Sequence, residues 1–113
     1  MNKRKLTRLD LQKMKESGER VLWLTAYDFP TEQFAKEAGM DMLLVGDSLG
    51  MCVYGYSGTI PVTMDQCICH CDAVRRGASN TFVIGDMPFI SYQISCEEAI
   101  KNAAGKPVPS RGD

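Results

Sequence analysis

The most restrictive feature of the sequence is an alternation. Three short apolar runs occur, VLWLTA (21–26), MLLV (42–45) and TFVIG (81–85), each closed by an aspartate-bearing turn and followed by helical spacing. Such runs are too continuous for a strand with one wet face and too short for a helix. Strands covered on both faces read this way, as in parallel sheets. Helix patterns follow at residues 31–38, 64–76 and 95–104, and an amphipathic one at 6–17 precedes the first run. A helix and then three strand–helix units require an α/β fold with parallel strands and crossover connections, either doubly wound or a (β/α)₈ barrel. Composition does not choose between these. A whole barrel takes ~250 residues, so a chain of 113 residues supplies less than half of one.

Local signals mark the boundaries. Thr7 and Asp10 are spaced as a capping box, and Gly18 closes that helix. Asp28 with Pro30 and Thr31 is a turn and helix-start signal; Phe34, Ala35 and Ala38 then form one apolar face, and Gly39 stands where a left-handed cap belongs. Residues 46–61 read as a long loop rich in glycine and tyrosine. In the next helix Ile68, Cys71, Ala73 and Val74 are the apolar positions and Gly77 the stop; in the last, Ser95 is the cap, with Glu97 and Glu98 in the first turn. Residues 105–113 carry two prolines, two glycines and no apolar period, so a disordered tail is expected after a single folded unit over 1–104. The closing Arg111-Gly112-Asp113 matches an integrin-recognition tripeptide, a chance match in a chain without a secretion signal.

Charge and cysteine usage exclude several functions. A net charge of −1 with mixed signs gives neither a nucleic-acid footprint nor a polybasic membrane patch. The apolar runs are far too short to span a bilayer, and no long apolar stretch follows the basic start to make it a secretory signal. Five cysteines, an odd number without framework spacing, indicate reduced thiols in a cytosolic protein.

Ligands of parallel α/β folds bind beyond the carboxyl ends of the strands. Three aspartates stand there: Asp28, Asp47 and Asp86. Neighbouring strands lie ~4.8 Å apart, so carboxylates that end two of them can reach one ion. Gly46 and Gly85 leave room for close approach, and two carboxylates completed by water and substrate oxygens suit Mg²⁺. The commoner use of such aspartates is as caps and turn residues. That use is favoured for Asp28 and stands beside the metal reading for Asp47 and Asp86. The cluster Cys67, Cys69, His70, Cys71 has soft ligands, but helical spacing puts Cys67 and Cys71 on one face and Cys69 roughly opposite. No second ligand pair exists in sequence, so small buried thiols and a hydrogen-bonded structural histidine are the better reading. Gly50, Gly55 and Gly58 match neither nucleotide-binding glycine pattern.

Five blocks carry a family resemblance: LTAYD (24–28), VGDSLGM (45–51), PVT (61–63), His70 with AVRRG (73–77), and GDMPF (85–89). In this order and spacing, over roughly residues 5–104, the chain resembles the ketopantoate hydroxymethyltransferases (3-methyl-2-oxobutanoate hydroxymethyltransferases). The resemblance implies the helix and first three βα units of a TIM barrel. It implies transfer of a hydroxymethyl group from 5,10-methylenetetrahydrofolate to 3-methyl-2-oxobutanoate, giving 2-dehydropantoate for pantothenate synthesis through a Mg²⁺-stabilised enolate. By position in these blocks, Asp47 and Asp86 are the expected Mg²⁺ ligands. Asp47, Ser48 and Asp86 are the expected keto-acid contacts, with Tyr27 near the substrate. The family's partners would be the keto acid, the folate and further copies of the chain in a homo-oligomer, in the cytoplasm.

The resemblance also implies what is lacking. The family's substrate-binding lysine, a further metal-associated glutamate and the general base fall beyond residue 104, so no catalytic base is expected here and the chain alone is expected to be inactive. Lys106, set among glycine and prolines, is in the wrong context to replace that lysine. The alternatives are a non-catalytic remnant that binds metal or keto acid or self-associates through open strand edges, a thiol–metal module on Cys67 and Cys71, and a lyase of the same superfamily.

Overall fold

A computed structural model describes residues 5–78 and 80–105. Its elements are α1 (Arg8–Ser17), β1 (Trp23–Thr25), α2 (Phe29–Glu37), β2 (Met42–Val45), α3 (Leu49–Cys52), α4 (Met64–Gly77), β3 (Phe82–Gly85) and α5 (Cys96–Gly105). The strands form one sheet in the order β1-β2-β3, parallel throughout, with Leu24 opposite Leu43 and Leu43 opposite Val83. The expected helix and strand–helix alternation is therefore present. Gly105 is still helical, one residue into the span expected as tail; the rest of that span lies outside the described residues.

Most boundaries follow the local chemistry. Thr7 and Asp10 form the capping box of α1, and Gly18 closes it at φ 80°. A second box at α4 pairs Thr63 with Gln66. Ser95 Oγ accepts the N–H of Glu98 at the start of α5, at 3.1 Å. The short helix α3 was not expected within the loop over 46–61. It arises because the N–H groups of Cys52 and Val53 bond to the carbonyls of Ser48 and Leu49, one turn back.

The core lies between the sheet and the α2–α4 pair. Leu43 and Val45 of β2 meet Ala35, Cys67, Cys71 and Val74, with Ala26, Leu49, Val62 and Ala78 closing the cluster. Cys67 and Cys71 are buried and Cys69 is exposed, so the helical-face reading of the cysteines holds.

Two expectations fail. The first is β1 as a strand covered on both faces: all three of its residues are exposed, Trp23 by 56%. The reason is position, since β1 is an edge strand with only β2 beside it among the described residues. The second concerns α2. Phe34 is 70% exposed and Ala38 is also outside, whereas Glu32 and Ala35 are buried. Here close contact with α4 overrides the apolar pattern. A Cβ on Gly77 would lie 1.8 Å from Glu32 Oε2, so only glycine lets α4 approach the carboxylate. Glu32 Oε2 accepts from Gln33 Nε2 at 2.8 Å, while Oε1 has no partner among the described residues.

This contact predicts a coupled pair. Gly77→Ala should destabilise the fold by about 1–3 kcal/mol through overpacking. Most of that penalty should vanish when Glu32→Ala is present in the same chain. Chemical denaturation of both single variants and the double checks this; strictly additive effects would show that the two residues share no contact.

Candidate functional site

The sheet register builds the site at the carboxyl ends of the strands. Val45 pairs with Gly85, and the ladder continues one rung further, with Asp86 N–H donating to the Val45 carbonyl at 3.0 Å. On the other side Ala26 N–H donates to the Leu44 carbonyl at 3.1 Å. These rungs place the turn after β1 and the turn after β3 on either side of the turn after β2.

Gly46 is the centre of the arrangement. A Cβ there would stand 3.2 Å from Asp86 Oδ2 and 3.4 Å from Ser48 Oγ. The bare backbone thus lets a carboxylate and a hydroxyl close over it, tighter than a side chain would allow. The Asp47 N–H donates to Asp86 Oδ2 at 3.2 Å. Asp47 and Asp86 are therefore joined through the main chain of one and the carboxylate of the other. Both side chains are half-buried, as is Ser48.

Ser48 precedes α3, but its side chain makes no capping hydrogen bond. Its Oγ lies 2.5 Å from the Tyr27 hydroxyl instead. Burial is the largest effect on that phenol and pushes its pKa above the ordinary value; the Ser48 hydrogen bond pulls the other way, and Cys52 and Asp47 reinforce the rise. Tyr27 thus keeps its proton at neutral pH. Behind it, the Tyr27 carbonyl is 2.5 Å from His70 Nδ1, and His70 Nε2 is 2.9 Å from the Tyr54 hydroxyl.

Tyr27, Ser48 and Asp86 therefore come together with the Asp47 main chain. Asp28 stands apart, in the capping use favoured for it. Its Oδ1 accepts the Thr31 N–H at 2.8 Å as the cap of α2. Sequence reasoning did not find the aromatic support of the site, Tyr54 stacked on Tyr56 with ring centroids 5.6 Å apart. Only the density of tyrosines between residues 54 and 56 hinted at it.

A hard-cation fit rests on the donor set. Asp47 and Asp86 are both half-buried, Gly46 carries no side chain where Asp86 Oδ2 and Ser48 Oγ approach, and oxygen donors of this kind suit Mg²⁺. Among the described residues no group of three His, Cys, Asp or Glu side chains gathers round a metal-sized position. Any Mg²⁺ held by Asp47 and Asp86 would complete its shell with water and substrate oxygens.

The sequence profile of the family described as ketopantoate hydroxymethyltransferase matches residues 5–106. The chain is 70% identical over 95 residues to the 3-methyl-2-oxobutanoate hydroxymethyltransferase of Alkaliphilus metalliredigens, an overlap of 84% of this chain and 34% of that protein. It is 59% identical over 97 residues to the enzyme of that name from Geobacillus sp. (86% and 35%) and 56% identical over 98 residues to that of Bacillus velezensis (87% and 35%). The chain thus spans about a third of the length of these relatives.

Asp28 generates a pH prediction. The Thr31 hydroxyl and then its N–H hold the Asp28 carboxyl below the usual carboxylate range, with a smaller pull from His70. The unfolded chain therefore takes up this proton more readily than the folded one. The stabilisation is fully present above the ordinary carboxylate value of about 3.9 and is lost as pH falls through the lowered folded value. Asp28→Ala should cost about 0.5–2 kcal/mol at neutral pH. Asp28→Asn, which caps without titrating, should lose less stability than wild type between pH 6 and pH 3 in parallel urea titrations.

Proposed function

The chain belongs to the ketopantoate hydroxymethyltransferase family, and on that premise we propose that it forms the N-terminal portion of the family's (β/α)₈ barrel and carries its keto-acid half-site. The reaction served is transfer of a hydroxymethyl group from 5,10-methylenetetrahydrofolate to 3-methyl-2-oxobutanoate, giving 2-dehydropantoate. The observation that carries the proposal is the convergence of Ser48 Oγ and Asp86 Oδ2 over Gly46, with Asp47 N–H bound to Asp86.

In this reading Asp47 and Asp86 hold Mg²⁺. When bound, the ion supplies Lewis-acid polarisation of the keto oxygen and carboxylate of the substrate. Ser48 offers a hydroxyl to a carboxylate oxygen, and Tyr27 holds Ser48 in place. Half-burial of Asp47, Ser48 and Asp86 keeps part of the solvent away from these contacts and so strengthens them. Proton removal from the carbon next to the keto group needs a base, and the role of the described residues is binding and orientation. The chain by itself is proposed to bind without turning over.

The sheet supports the barrel part of the proposal. Leu43 and Val45 face the helices, whereas the alternate residues Met42, Leu44, Phe82 and Ile84 are only half-buried and Trp23 and Thr25 are exposed. A second apolar face of this kind is what a barrel interior requires. Among the described residues no helix is long and apolar enough to cross a membrane. A cytoplasmic homo-oligomer acting on the keto acid and the folate completes the proposal.

Calorimetry tests it. The chain should bind 3-methyl-2-oxobutanoate only with Mg²⁺ present, and Asp47→Ala should weaken that binding by more than about tenfold, since it removes one of two carboxylates from a hard-cation site. Binding that ignores Mg²⁺ or Asp47, or its absence in a folded chain, would show that ancestry has outlived the half-site. Ketopantoate formation by this polypeptide alone in a coupled assay would refute the division between binding and turnover.

A further inference from the structure

The one histidine of the chain lies outside the contacts assigned so far to the keto-acid site, yet both of its ring nitrogens are engaged. Nδ1 lies 2.5 Å from the Tyr27 main-chain carbonyl. A carbonyl oxygen only accepts, so Nδ1 carries the proton. In the neutral imidazole Nε2 is then the acceptor, and the Tyr54 hydroxyl at 2.9 Å donates to it. The tautomer is fixed by its neighbours.

Those neighbours are themselves held. The Tyr54 ring meets the imidazole edge-on at 88° and stacks on Tyr56. The Tyr56 hydroxyl accepts from Gln66 Nε2 at 2.9 Å, and Gln66 Oε1 accepts the Thr63 N–H at the cap of α4. His70 is thus anchored on α4 from one side and grips the turn after β1 from the other.

The grip acts on the site through Tyr27. That residue lies between the end of β1 and the α2 cap, so among the described residues its main chain belongs to neither the ladder nor the helix. Its hydroxyl lies 2.5 Å from Ser48 Oγ, and whichever oxygen donates, that bond ties the serine side chain to the tyrosine. Ser48 Oγ in turn stands on the Gly46 side of the site, where Asp86 Oδ2 also lies. A rotation of the Tyr27 backbone would carry the phenol away and leave the serine rotor free.

We propose that His70 is a positioning residue for the keto-acid site: by holding the Tyr27 carbonyl it fixes the tyrosine that orients Ser48. This rests on the reading of Ser48 as a keto-acid contact, and the tests below separate the two. His70→Leu should weaken Mg²⁺-dependent binding of 3-methyl-2-oxobutanoate about tenfold, the effect of losing one hydrogen bond of roughly 1.4 kcal/mol. His70→Asn returns an N–H near the Nδ1 position and should bring the affinity back to within about threefold of wild type.

Nuclear magnetic resonance supplies a second readout. The single imidazole should show the Nδ1–H tautomer, and the Tyr27 and Ser48 amide signals should move in His70→Leu and return in His70→Asn. A histidine with only a structural role would lower thermal stability in His70→Leu while leaving affinity and the Ser48 signal unmoved; that result overturns the proposal. If the wild-type chain binds no keto acid, the function proposed above falls, and the spectra alone decide: the Nδ1–H tautomer with a Ser48 signal that follows residue 70 sustains the positioning role, and the Nε2–H tautomer ends it.

Discussion

Every site contact described here depends on the last rungs of the parallel ladder. The Asp86 N–H bonded to the Val45 carbonyl, and the Ala26 N–H bonded to the Leu44 carbonyl, extend the sheet one residue past its strands on both sides of β2. A slip of one residue would move Asp86 ~3.3 Å along the sheet and turn its neighbours to the opposite face. The Asp47 N–H would then lose its carboxylate, and Gly46 would face a different atom. Hydrogen bonds remote from any ligand thus fix which polar groups share the space.

Register alone does not hold the side chains in place. The helical layer does that, and it is held by polar contacts as much as by apolar ones. Glu32 is fully buried against Gly77, an unusual occupant for a helix–helix contact, and its cost is offset only in part by Gln33. His70 on α4 reaches forward to Tyr27. The same pair of helices that buries Leu43 and Val45 therefore also supports the polar contacts beyond the strand ends. Packing and site geometry are two results of one arrangement.

The first strand has a different status. Its side chains are exposed although they belong to one of the most apolar runs in the sequence, and Leu22 just before it shares that exposure. Apolar surface of this extent in an edge strand is favourable only when something covers it. Among the described residues the sheet thus has one face packed by helices and one left more open, in keeping with a parallel sheet whose strands are apolar on both sides.

Much of this was written in local chemistry. The caps at Thr7, Asp28, Thr63 and Ser95, the left-handed glycines at 18 and 39, and the three strands needed only neighbouring residues, because caps and turns are short-range interactions. The alternation of elements likewise dictated a parallel sheet, and with it the end of the sheet where Asp47 and Asp86 had to lie. What local chemistry did not contain was distance across the fold. Glu32 replaced Phe34 as the buried residue of α2 because Gly77, 45 positions later in sequence, lets α4 come close. Tyr27 reached Ser48, and His70 reached Tyr27, because the sheet and α4 set the turns after β1 and β2 side by side. By itself the sequence determined which elements form and which residues end them; only the tertiary structure decided which of those residues touch, since contact depends on the packing of segments far apart in the chain.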